Sequence, residues 1–225
     1  MMATLEEDEV EFRAGDVVRG TSDEVESIYI VKEGWLFSAV ELGDGRRQIL
    51  EFFVPGDVVG LHDLPYEQTS YELVTLTEST LCPFPKERLG PVFETSRAVT
   101  GLLFTFSLID HVIMLDRLKS IGRLAAKDRI AHLMLTVRSR LCITNDELGD
   151  HFFFPIPQAE MADALGLTPV TISRSKAELQ QEGLIRWQRR EVELLDRAAL
   201  EKRTRFDARY QNLDTSWFTT LCGGY

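Results

Sequence analysis

Between Pro157 and Gly183 the chain reads PQAEMADALGLTPVTISRSKAELQQEG. Pro157 suits the first turn of a helix, where its missing N–H costs no hydrogen bond. Met161, Ala162 and Leu165 give that helix one apolar face, and Gly166 stands where the chain must turn in a left-handed conformation. Thr168 is then an N-cap with Pro169 at the first helical position of a second helix. Ile172, Leu179 and the small Ala177 are expected to face inward, and Gly183 ends the helix. Two short helices joined by a three- or four-residue turn containing glycine are the signature of a helix-turn-helix. The plainer alternative is a helical hairpin with a solvated charged face.

The flanking residues strengthen the first reading. Leu184–Trp187, the basic stretch Gln188-Arg189-Arg190 and Glu191–Leu195 spell a β-hairpin with a cationic tip. Such a hairpin beside the second helix is a wing. The expected base-reading residues are Arg174, Val170, Thr171 and Ser173, because the front of such a helix meets base edges in the major groove. Arg174 can make two parallel hydrogen bonds to guanine, whereas Val170 can only touch a thymine methyl. Thr168, Lys176, Gln158, Arg186, Arg189 and Arg190 are the expected backbone contacts, since phosphates are met by cations, hydroxyls and helix N-termini.

The first part of the chain has a different character. From residue 10 to 90, short β-branched and aromatic runs such as SIYIVKEGWL (27–36) and RQILEFF (47–53) alternate with turn signals at Glu33-Gly34, Gly43-Asp44-Gly45 and Pro55-Gly56-Asp57. Strands this short and regular predict a barrel, roll or sandwich. From Arg97 to Arg123 there is no proline, and Leu102, Phe106, Ile109 and Ile113 recur at helical spacing, reaching Asp116 and Ser120 if the series is extended. This is the expected dimer seam, with an internal core helix as the other reading. Leu108, Leu115 and Leu118 fall on a second face. Ala125–Leu141 predicts another amphipathic helix, with Gly122 as the hinge between the two, and residues 144–154 predict a loop.

The net charge of −11 is unusual for a partner of nucleic acid. However, residues 1–90 hold 19 acidic and seven basic side chains, whereas residues 91–225 hold 17 and 18. The excess acid is therefore confined to the β half. No unbroken run of about 18 apolar residues is visible, and the acidic start does not resemble a secretory signal, so a cytoplasmic protein without a membrane partner is expected. Cys82, Cys142 and Cys222 are far apart and odd in number, which disfavours a disulfide framework, a cysteine zinc site and an iron–sulfur cluster.

The order of β-roll, long helix and winged helix-turn-helix resembles the Crp/Fnr family of bacterial regulators over roughly residues 10–200. FRAGDVV (12–18), IYIVKEGWL (28–36) and FFVPGDVVGL (52–61) are similar to its sensor glycine pattern, and QAEMADALGLTPVTISRSKAELQQEGLI (158–185) to its DNA-binding motif. The resemblance implies an α+β fold: a β-roll sensor of the double-stranded β-helix or jelly-roll kind (1–96), a dimerisation helix (97–123), a winged helix-turn-helix (124–204) and a tail (205–225). It further implies a homodimer on double-stranded DNA, with RNA polymerase as a partner if the protein activates transcription.

The effector pocket would involve Gly60, Leu61, His62, Ser70 and Tyr71. In cyclic-AMP-binding members a glutamate follows the glycine and binds the ribose hydroxyl, and an arginine of an Arg-Ser pair binds the phosphate. Leu61 stands at the glutamate position, the Arg-Ser positions fall near Ser70 and Tyr71, and no arginine lies between Arg47 and Lys86. Cyclic AMP is therefore disfavoured, and no cofactor or metal is expected. Haem on His62, His111, His132 or His151 is disfavoured because a lone histidine is more often structural. Two other classes fit the sequence less well. A cupin-like metal enzyme needs several histidines in the β half, where only His62 lies. A nucleotide-binding regulatory subunit without DNA binding would not need Arg174 or a basic wing. The tail, with Tyr210, Trp217 and Phe218, is expected either to cap the wing domain or to cover the sensor pocket.

Overall fold

The computed structural model describes residues 9–214 and 216; Trp217, Phe218 and Cys222 lie outside them. The β half forms eight strands: β1 (Val10–Phe12), β2 (Val17–Arg19), β3 (Ser27–Glu33), β4 (Leu36–Glu41), β5 (Arg47–Phe53), β6 (Val58–Val59), β7 (Glu72–Thr75) and β8 (Ser79–Pro85). They make two antiparallel sheets in the orders β1-β8-β3-β6 and β2-β7-β4-β5. Alternate residues of the two inner faces, among them Val31, Leu36, Phe53, Leu73 and Leu81, form the roll's own core. β8 lies outside the runs named from the sequence, and it carries Pro83 and Pro85, which are disfavoured in a central strand. β1 pairs only with Ser79–Leu81, so both prolines fall where β8 has β3 on one side alone.

Helix α1 (Leu89–Thr95) leads into α2 (Arg97–Arg123), capped by Ser96, whose side chain accepts from Val99 N. The chain then bends through the extended residues Leu124 and Ala125 into α3 (Ala126–Thr144). The hinge is thus two residues beyond the expected Gly122, which stays inside the last turn of α2. The expected loop at 144–154 contains β9 (His151–Phe153). The remaining elements are α4 (Gln158–Leu165), α5 (Pro169–Gln181), β10 (Ile185–Gln188), β11 (Glu191–Leu194) and α6 (Arg197–Thr204), with the three strands ordered β10-β11-β9.

The dimer-seam expectation needs correction. Ile109 and Ile113 are buried against the chain's own Tyr210, and the extended series ends on buried Asp116 and Ser120. Phe106 is half-buried in the same packing, and only Leu102 of the four is exposed. The other face is open instead: Leu108, Leu115 and Leu118 are exposed, Leu118 to 69%. Both faces being apolar, α2 has a mean hydropathy of 1.8 over an 18-residue window, long and apolar enough by length and composition to cross a membrane. The described part of the tail packs on α2 and on α3 of the winged domain, away from the sensor pocket, with Phe206 and Tyr210 beside Ile109, Ile113 and Ile143.

One charge cluster joins the roll to α3. Arg140 is only 4% exposed. Its Nη1 donates to Phe52 O at 2.7 Å and its Nη2 pairs with Asp57 at 2.7 Å and Glu51 at 3.3 Å. Burial works against its charge, but Asp57, Glu51 and Asp110 together raise its pKa. Gly56 lets this junction close: at φ 98°, a Cβ there would lie 2.2 Å from Thr144 Cγ2 at the end of α3. Burial raises the carboxyls of Glu51 and Asp57, and burial plus the neighbouring Glu51 pushes half-buried Asp110 up to about 8.

A folded-state pKa above the unfolded value adds stability at low pH that is lost as pH rises through it. Urea midpoints of the wild type should therefore fall as pH rises from about 4 to about 8 and level off above, while Asp110→Asn falls by less over that range and is on the order of 1–2 kcal/mol more stable at pH 8.5. Superimposable profiles for the two proteins would show that Asp110 does not titrate in this range.

Candidate nucleic-acid interface

Met161, Ala162, Ala164 and Leu165 bury one face of α4, and the helix stops at Gly166 in the left-handed region at φ 63°. Thr168 Oγ1 accepts from Thr171 N at 3.2 Å and so caps α5, with Pro169 in its first turn. Ile172, Ser175 and Leu179 form the buried stripe of α5. Their spacing of three and four leaves Ala177 on the opposite side, where it is exposed. The expected inward role of Ala177 therefore belongs to Ser175, whose small side chain allows the close approach.

The outward stripe carries Val170, Ser173, Arg174 and Ala177. Val170 is 78% exposed and the Arg174 side chain 73%. The nearest carboxylate to Arg174 is Glu178 Oε1, 3.8 Å from Nε. A solvated pair of that kind is weak and gives way to a better acceptor. The other expected contacts differ in their freedom. Gln158, Thr168, Arg189 and Arg190 are exposed, the last two at the tip of the β10–β11 hairpin, where Arg189 has φ 52°. The Thr171 hydroxyl is shared with Thr168 Oγ1 at 2.9 Å. Lys176 is half-buried with Nζ 4.3 Å above the Trp187 ring, and burial lowers its pKa. Arg186 is paired with Glu193 across the hairpin.

The wing is held from behind by aromatic rings that the sequence placed in a loop. Phe154 meets Trp187 edge-on at 5.5 Å and Trp35 at 6.3 Å, so the wing and the roll share one core. α4 is also fastened to the roll: Arg47 donates to Asp163 Oδ2 from Nε and Nη2 (3.1 and 3.0 Å), and Gln48 Nε2 donates to Asp163 O at 2.7 Å. From α2, Arg117 Nη2 donates to Ala164 O at 2.7 Å and also to Ile49 O. Burial lowers the Arg117 pKa to about 10.

In the roll, the expected pocket residues divide. Leu61 and Tyr71 are buried, His62 and Ser70 are exposed, and His62 stacks on Tyr71 at 5.4 Å beside Gly60. A buried cation that the sequence did not mark lies beside Tyr71. Arg19, buried on β2, donates to Asp63 and to Tyr71 Oη (2.9 Å), and the Tyr71 hydroxyl donates to Asp63 in turn. Burial, then the bond to Asp63, raises the Tyr71 pKa. Arg19 escaped the sequence reading because a register shift between Val17 and Arg19 turns the arginine inward while Val17 stays exposed.

Among the described residues no three His, Cys, Asp or Glu side chains gather to hold a metal ion. His62, His111 and His151 are exposed on separate elements. His132 is buried, and burial pushes its pKa down to about 4. The cavity beside it is about 60 Å³, space for a few waters and far too small for haem.

Residues 128–203 match the Crp-like helix-turn-helix domain and residues 9–96 the cyclic nucleotide-binding domain. The chain is 30% identical to the nitrogen fixation regulation protein FixK of Bradyrhizobium diazoefficiens, over 85% of this chain and 80% of that one. It is 28% identical to the transcriptional activator protein FnrL of Cereibacter sphaeroides, over 82% of this chain and 75% of that one. Among solved structures, FixK2 from Bradyrhizobium japonicum superposes with a TM-score of 0.77 at 25% identity, covering 87% of this chain and 96% of the other.

Proposed function

Since the chain belongs to the Crp/Fnr family of DNA-binding transcriptional regulators, we propose that it acts as a homodimer on a pseudo-palindromic operator, with Arg174 reading a guanine in each half-site. The observation that carries this is the stripe on α5. A capped, rigid helix holds an exposed guanidinium in its front half with only a weak ion pair to give up. Val170 and Ala177 flank it with apolar surface suited to thymine methyls, and Ser173 adds a hydroxyl. Arg189 and Arg190 meet the phosphates from the wing tip, with Gln158 and Thr168 at the helix N-termini. Thr171, Lys176 and Arg186 serve mainly to hold this surface together, given their partners within the chain.

Dimerisation uses the open face of α2. Leu108, Leu115 and Leu118 lie at intervals of seven and three, a seam that a second copy covers by knobs-into-holes packing. The apolarity that would suit a membrane is then spent on a partner helix, which supports a cytoplasmic protein. The relatives named as activators favour activation through contact with RNA polymerase.

In the roll, Leu61 replaces the glutamate expected of a cyclic-AMP site, and Asp63 already neutralises Arg19. A cyclic phosphate would have to displace a buried, doubly hydrogen-bonded carboxylate, so the protein works without cyclic AMP.

Three measurements test these readings. On a palindromic duplex selected by the wild type, Arg174→Ala should lose on the order of ten- to a hundredfold in affinity and little on random DNA; equal loss on both would remove base reading by Arg174. Leu115→Glu combined with Leu118→Glu should sediment as a monomer; a persistent dimer places the interface elsewhere. Cyclic AMP should leave the melting temperature unchanged, whereas a true ligand at 100 times its Kd would add about 2.7 kcal/mol.

A further inference from the structure

The match to the helix-turn-helix domain ends at residue 203, but the chain does not leave the molecule there. Arg205 takes a left-handed conformation (φ 50°) at the end of α6, and the following residues return to α2. Phe206 meets the His132 ring edge-on at 5.5 Å and leans on Tyr210 at 6.0 Å. Tyr210 is 2% exposed, packed on Ile109 and Ile113, and its hydroxyl donates to Asp116 Oδ2. Arg209 Nη2 donates to the same oxygen at 2.9 Å, and Lys119 Nζ donates to Asp116 Oδ1 at 3.2 Å. Asp116 itself is buried on α2, and these three donors outweigh its burial and hold its carboxyl below the usual range.

The other end of the segment is anchored in the DNA-binding unit. Arg203 of α6 pairs with Asp128 at the start of α3 and, at 2.7 Å, with Glu182 at the end of α5. The segment therefore spans the Leu124–Ala125 bend, with one end on each side of it. Any rotation of the winged unit about that bend must pull Tyr210 out of its site and leave Asp116 buried with fewer donors, a costly change.

We propose that residues 205–212 are an intramolecular strap that locks the angle between α2 and the winged unit, with Tyr210–Asp116 as its latch. The lock pre-organises the recognition helix. A dimer must present two such helices about 34–36 Å apart, and a hinge fixed beforehand loses less freedom when DNA binds. Its link to DNA rests on the function proposed above; its effect on the bend does not.

The test uses the full chain carrying Tyr210→Phe, which keeps the ring in place and removes only the latch hydroxyl, alongside Asp116→Asn. Hydrogen exchange of backbone amides from Ser120 to Arg129 should speed up about tenfold in both, and affinity for the selected duplex should fall about tenfold with the dimer intact. Unchanged exchange at the bend overturns the lock. Faster exchange with equal or tighter binding overturns pre-organisation. Should the wild type bind no duplex at all, the regulator reading fails, while the exchange measurement still decides whether the strap restrains the bend.

Discussion

Arg140 is the residue on which the arrangement turns. A guanidinium this deeply buried is tolerated only with carboxylates and carbonyls gathered around it, and here they come from the roll: Phe52 O, Asp57 and Glu51. Because Arg140 belongs to α3 and its partners to β5 and the following turn, neither the sensor nor the DNA-binding unit can neutralise its charges alone. Removing the arginine would strand two carboxylates; removing the turn would strand the arginine. The two units are thereby fixed to each other, and the aromatic contacts of Trp35 with Phe154 and the bonds from Arg47 and Gln48 to Asp163 follow from that closeness.

A similar device closes the sensor. Arg19, Asp63 and Tyr71 form a buried three-way network inside the roll. In both clusters a cation distant in sequence meets its counter-charge inside a β-framework. In the roll it ties β2 to Asp63 and Tyr71; at the junction it ties α3 to β5 and the turn after it. α2 is apolar on two faces, one packed on the chain's own core and tail and the other exposed, and this two-sided composition gives its high mean hydropathy.

Much of the DNA-binding surface was legible because it is local. Capping by Thr168, the left-handed Gly166 and the spacing of Ile172 and Leu179 are decided within a few residues, so the helices and the exposure of Arg174 could be read directly. Ala177 was misplaced by counting small residues as inward without following the three-four spacing through Ser175. β8 and β9 were hidden for another reason: prolines and aromatic residues report strand pairing only once the neighbouring strand is known. Arg19 was invisible because its orientation depends on a bulge against β7.

The amino-acid order alone settled the course of α2 to α5, the β10–β11 hairpin and the outward placement of Val170, Ser173 and Arg174 on α5, since helical period and capping are properties of adjacent residues. It also showed that α2 has two apolar faces. Which of those faces is covered, which arginines are buried and where the tail goes were settled by the folded chain. Burial of a charge or an apolar face depends on partners tens of residues away: Arg140 with Asp57, Arg19 with Asp63, Tyr210 with Asp116. Such pairings leave no local period or spacing in the sequence, because they exist only when distant elements are brought into contact.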